Sequence, residues 1–174
     1  MAFNLFRRLT GRASTAPPMD ALYRAIIVVA REPRWYTAGA VPDTIDGRFD
    51  MVVLALSLVL LRLEREADTQ DAGVGLTERF VEDMDGSLRE IGIGDLVVGK
   101  QVGHMVGALE GRLGAYRGVF AGLEPLGGAL TRNLYRGDAP GLAALTWTEA
   151  AVTELKAAVD TTPLDRLLGG EIAR

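Results

Sequence analysis

His104 is the only histidine in a chain of 174 residues that has no cysteine at all. Without a thiol there is no Cys nucleophile, no Cys-ligated zinc and no iron–sulfur cluster. A lone imidazole has no second one with which to build a His-based metal site. His104 stands in the middle of a helical pattern beside Met105, but no CxxCH or paired ligand accompanies it, so it reads as a structural or surface residue. Glu82, Asp83 and Asp85 gather carboxylates in one segment, yet acids one or two apart on a helix do not converge on a point. They read as a solvated acidic face. The segment GIGDLVVGK (92–100) resembles a phosphate loop but lacks the preceding strand and the Ser or Thr after Lys100. No catalytic residue, metal ligand or cofactor is therefore assigned, and the chain reads as non-enzymatic.

The elements that would position any site read as helices. Asp20 supplies a first-turn acid or cap for a helix reaching Glu32, with Leu22, Ile26, Val29 and Ala30 on one face and Pro33 as its stop. The turn formers Gly39, Pro42, Asp43, Asp46 and Gly47 predict a loop from Pro33 to Arg48, onto which Trp35 and Tyr36 would pack. A helix from about Phe49 to Ala67 is apolar nearly all round, the mark of a buried central helix. Residues 68–75 read as a loop. A third helix, about Thr77 to Ile91, carries Leu76, Phe80, Met84, Leu88 and Ile91 as a stripe, with Gly92 as its stop. Asp95 is expected to cap a fourth helix running to about Leu123. That helix carries glycines at 99, 103, 107 and 111 and again at 114, 118 and 122. Each interior glycine costs up to about 1 kcal/mol relative to alanine. Close packing inside the molecule would account for the row, as would a groove for a partner helix. Shorter helices follow, from Pro125 to about Leu134 and from about Leu142 to Val159 with a break near Thr146, then a last turn after Pro163. No alternating strand pattern appears. The fold class is all-α: a single-domain irregular helical bundle of about six helices over residues 18–174.

Hydrophobic residues make up 48% of the chain and charged residues 24%, a globular composition. The longest apolar run, Met51–Leu61, is interrupted only by Ser57 and is too short for a span of about 20 residues. The net charge of −4 argues against nucleic acid as a partner. Charge is unevenly spread. Residues 64–90 hold nine acids against three Arg, whereas residues 1–17 hold Arg7, Arg8 and Arg12 and no acid. With Phe3 and Phe6 interleaved, those residues read as a flexible basic arm able to touch anionic lipid.

Four segments occur together, WYTAGAVPDTIDGRFDMVVL, FVEDMDGSLREIGIGDLVVGK, GRLGAYRGVF and LGGALTRNLYRG. As an ordered set they resemble the ubiquinol–cytochrome c chaperone family, assembly factors of the respiratory cytochrome bc complex. The resemblance implies an all-helical fold, no catalysis, and binding of newly made cytochrome b. It places the protein in the cytoplasm at the inner membrane if bacterial, or on the matrix side if mitochondrial. A membrane-surface scaffold or an unrecognised small-molecule enzyme are the alternatives. On this reading Trp35, Tyr36, Asp43, Arg48 and Phe49 shape one side of a partner surface, and Asp83, Arg89, Asp95 and Lys100 the other. This chain has Ala55 and Ser57 where relatives often carry a His and an aromatic.

Overall fold

A computed structural model describes residues 19–90, 92 and 94–172, without the side chains of Asp95 and Leu96. The arm residues Phe3, Phe6, Arg7, Arg8 and Arg12, and Ile91 of the third stripe, lie outside the described residues. Eight helices and no strand are present among those described: α1 (Asp20–Ala30), α2 (Pro33–Thr37), α3 (Ile45–Leu63), α4 (Gln70–Glu90), α5 (Asp95–Phe120), α6 (Leu126–Asn133), α7 (Leu142–Thr161) and α8 (Leu164–Leu168). The all-α expectation holds. The count exceeds about six because α2 and α8 are five-residue helices.

Helix α3 is the axis of the fold. Residues 50–61 are all buried, and α1, α4, α5 and α7 pack around it. A helix walled on every side needs no polar stripe, which is why its sequence is apolar all round. Each of Leu54, Leu56 and Leu58, buried to 0% exposure, contributes about 1.5–3 kcal/mol. Ser57 survives in this wall because its hydroxyl donates to the Val53 carbonyl at 2.7 Å.

Several boundaries differ from the expectation, among them the end of α3, at Leu63 rather than about Ala67. Pro33 ends α1 but also opens α2, since proline at the first helical position loses no hydrogen bond. Helix α3 starts at Ile45, not Phe49. Thr44 caps it by accepting from the Gly47 amide at 3.1 Å, so Asp46 and Gly47 are first-turn residues. Gly47 is required there because a Cβ would lie 2.0 Å from the Pro42 carbonyl oxygen. Helix α4 begins at Gln70, seven residues before the expected Thr77. Gly73 and Gly75 are buried, and the space at Gly73 opens only on Leu60 of α3. Packing overrides their low helix propensity.

Gly92 does end α4, at φ 85, where only glycine is unstrained. Asp95 is the first residue of α5, and Gly94 holds the N-cap position. Helix α7 runs unbroken through Thr146. The α5 glycines are not sites of close intramolecular packing. A Cβ at Gly99, Gly103, Gly107, Gly111 or Gly114 would meet nothing within 4 Å.

Candidate functional site

The Pro33–Thr44 segment is pinned before it can serve a surface. Trp35 is 0% exposed. Its indole N–H donates to the Val29 carbonyl at 2.8 Å, and its ring meets Trp147 edge-on at 5.7 Å. Trp35 therefore offers nothing to a partner directly and acts by fixing the corner. Gly39 completes the clasp: its carbonyl accepts from the Tyr135 hydroxyl at 2.6 Å, and Tyr135 also bonds Thr148 of α7 at 2.8 Å.

The surface of this corner belongs to Tyr36, Asp43 and Arg48. The Tyr36 hydroxyl donates to the Ala30 carbonyl at 2.9 Å, and the Arg48 guanidinium stands 5.9 Å from its ring centre. Arg48 donates to Asp43 at 2.6 Å, and that bond holds the Asp43 carboxyl below its ordinary range. Burial pushes the Tyr36 phenol up.

Phe49, half-buried one residue further along α3, faces away toward α5 and α4. Its ring lies 6.2 Å from Phe80 and 5.6 Å from the guanidinium of Arg112. It lines an open groove of about 530 Å³. Ile45, Asp46 and Phe49 of α3 form one wall. Gln101, His104, Met105, Ala108 and Arg112 of α5 form the other, and Arg132 and Arg136 close the end. Ile45 is 74% exposed, so an apolar side chain stands free at the groove's mouth. His104 is exposed here, on the wall rather than in the core.

Under this groove lies an ionic clasp that the sequence reading did not single out. Asp50 is 1% exposed. One carboxylate oxygen accepts from Arg112 at 2.6 Å and the other from Arg136 at 2.6 Å. Arg136 also reaches Asp46 at 2.7 Å, and Arg112 donates to the Asn133 carbonyl at 3.0 Å. Burial pushes the Asp50 carboxyl up from the ordinary carboxylate range, while the two guanidiniums pull it down. Arg136 adopts φ 54, the left-handed region that costs a non-glycine residue roughly 1 kcal/mol. The turn ending α6 thus holds strain at the residue that reaches back to α3. Arg132 pairs with Glu124, so the three arginines at this end are balanced by acids and leave no bare cationic site.

The second expected set is not gathered on this groove. Asp83 turns toward α1 and accepts from the Tyr23 hydroxyl at 2.8 Å. Arg89 is bound to Asp85 at 2.6 Å within α4. Lys100 is exposed on α5, and the Asp95 side chain is outside the described residues. Among the described residues no three His, Cys, Asp or Glu side chains gather into a metal-binding group, and no helix is long and apolar enough to cross a membrane.

Comparison with known proteins bears directly on this geometry. Comparison against curated proteins returns no match. A solved structure titled "Crystal structure of the Cbp3 homolog from Brucella abortus" superposes with a TM-score of 0.75 at 31% sequence identity, covering 88% of this chain and 86% of that one. A family model described as ubiquinol-cytochrome C chaperone matches residues 37–173, a span that holds both walls of the groove and the whole clasp. The chain belongs to the ubiquinol-cytochrome C chaperone family.

Proposed function

We propose that this protein is a chaperone without catalysis of its own, which holds newly made cytochrome b while the ubiquinol–cytochrome c reductase complex is assembled. Family membership supports the chaperone role. The observation that carries the finer reading is the open groove between α3 and α5, with Ile45 exposed at its mouth and Phe49 and Met105 within. Cytochrome b is a membrane protein of many apolar helices, which aggregate if exposed to water before assembly. A groove that sets apolar groups from both walls, Ile45 and Phe49 against Met105 and Ala108, among polar ones accepts one face of such a helix. Tyr36, Asp43 and Arg48 extend the contact along the corner that Trp35 fixes, while Asp83, Arg89 and Lys100 lie outside the groove and take no part in it. The protein works at the surface of the inner membrane, where its client inserts, and the arm (Phe3, Phe6, Arg7, Arg8, Arg12) holds it there.

The test is a deletion strain carrying either the wild-type chain or Ile45→Asp. Deletion is expected to deplete cytochrome b before the other subunits of the complex, with wild type restoring it and Ile45→Asp restoring it poorly. Normal cytochrome b in the deletion strain refutes the client. Full restoration by Ile45→Asp moves the client off this groove.

A further inference from the structure

His104 is the chain's only imidazole, and it lines the groove from the α5 wall, exposed. Among the described residues no hydrogen bond or ion pair engages its ring. Apolar groups flank it on both walls, Ile45 and Phe49 from α3 and Met105 and Ala108 from α5, and Arg132 and Arg136 stand at the end. Those two arginines are balanced but not committed. Arg132 pairs with Glu124 and Arg136 reaches Asp46 at 2.7 Å, through side chains that are 57% and 45% exposed. Exposed pairs contribute little, so an incoming carboxylate can take over either guanidinium at small loss. Arg136 meanwhile keeps its bond to Asp50 at 2.6 Å, which holds it at the groove's end.

A lone imidazole excludes a site in which side chains supply a whole coordination sphere. It does not exclude a metal that arrives with most of its ligands. Haem brings four ring nitrogens and takes a single imidazole as its axial ligand in several protein classes. Its ring faces are apolar, and its two propionates suit the fork of an arginine. The missing CxxCH rules out covalent attachment only. A groove of about 530 Å³ is within the size range of cofactor sites. We propose that this groove binds one haem non-covalently, with His104 as the axial ligand and Arg132 and Arg136 on the propionates. Met105 follows His104 directly, and side chains one apart on a helix do not face each other, so the two cannot clamp opposite faces of a ring. One protein ligand in an open groove is a hold that can be released, which suits handing haem to a cytochrome client. That purpose rests on the client proposed above. The haem site does not.

The test is a titration of the full chain with ferric haem, followed by absorbance. One equivalent should bind, with a sharpened and red-shifted Soret band, and the reduced complex with carbon monoxide should show the spectrum of an imidazole-ligated haem. His104→Ala, at an exposed position, should keep the wild-type circular dichroism, bind about tenfold more weakly and lose those bands. His104→Gly should regain them when free imidazole is added. Arg132→Ala should weaken binding about threefold and leave the spectrum unchanged. An unaltered spectrum in His104→Ala, several equivalents bound, or no rescue by imidazole means haem adhering to apolar surface only, and overturns the site. Unchanged affinity in Arg132→Ala overturns the place given to the propionates. In the deletion strain, His104→Ala should restore cytochrome b polypeptide on an immunoblot but less of its haem in a reduced-minus-oxidised spectrum. Full haem there overturns the delivery role. Normal cytochrome b in the deletion strain itself overturns the client and leaves the haem site to the titration.

Discussion

Replacing Arg112 by Met isolates the ionic clasp, because Met keeps most of the apolar stem and removes the guanidinium. Three contacts go with it. The bond to buried Asp50 is charge-assisted and is worth about 2 kcal/mol. We take the lower part of the range because Arg136 still reaches the same carboxylate at 2.6 Å. The bond to the Asn133 carbonyl adds about 1 kcal/mol, and the cation over Phe49 about 0.5 kcal/mol. The expected loss is therefore about 3–4 kcal/mol, a large share of a typical domain stability of about 5–15 kcal/mol. It should lower Tm by about 10 °C for a chain of this size. Arg136→Met, at a side chain 45% exposed, should cost only about 1 kcal/mol. The loss at Arg112 also carries a pH signature. Burial already raises the Asp50 carboxyl above its unfolded value of about 3.9, so the native state binds the proton more readily and stability from this group falls as pH rises. Without Arg112 the carboxyl rises further. The deficit of the variant is then full at neutral pH and shrinks at acid pH, as protonation removes the uncompensated charge. Urea unfolding followed by circular dichroism at both pH values, with an unchanged m-value, measures this. A deficit that is the same at both pH values, or that grows on acidification, refutes the reasoning.

Gly39→Ala places a Cβ 2.6 Å from the Trp35 carbonyl oxygen and 2.9 Å from the Thr148 hydroxyl. It should cost about 2–3 kcal/mol in thermal or urea unfolding, as overpacking of a pinned corner does. All four tyrosines, Tyr23, Tyr36, Tyr116 and Tyr135, are held above their ordinary range, in each case first by burial. Their contribution to stability is complete below about pH 10 and is lost as pH rises further. Tyrosinate absorbance should accordingly appear together with alkaline unfolding rather than before it. Ile45→Asp removes an apolar group that is 74% exposed. Its unfolding free energy should stay within about 0.5 kcal/mol of wild type, while recovery of cytochrome b in a co-purification from membranes falls.

How far the sequence could be read follows from what each element rests on. The stripe Leu76, Phe80, Met84 and Leu88 is local periodicity, and all four are buried. The all-apolar α3 was legible for the same reason. The early starts of α3 and α4 were not. Gly47 and the pair Gly73 and Gly75 are turn formers by propensity, and it is the close approach of Pro42 and the Thr44 cap at Gly47, and the burial of Gly73 and Gly75, that set them in helices. The α5 glycines misled differently. A row of small residues ordinarily reports a close neighbour, and here most of the row faces open space.

The clasp was the larger omission, and its signal was present. Asp50 directly precedes the apolar run that opens at Met51, on a helix with no polar stripe to carry it to water. A carboxylate so placed must find cations from elsewhere in the chain. The arginines in GRLGAYRGVF and LGGALTRNLYRG, two of the segments on which the family resemblance was read, are where Arg112 and Arg136 lie. What the sequence does not encode locally is which arginines turn inward. That depends on the left-handed backbone at Arg136, which a helical wheel does not represent. Asp50 thus ties the end of α6 and the middle of α5 to the central helix at one buried point, and the groove above it inherits one fixed wall. The same geometry makes the clasp a poor candidate for client contact. Its charges are already paired, and displacing them would expose a buried carboxylate. On the proposed reading a client helix is instead met by Ile45, Phe49 and Met105, the apolar groups of the groove.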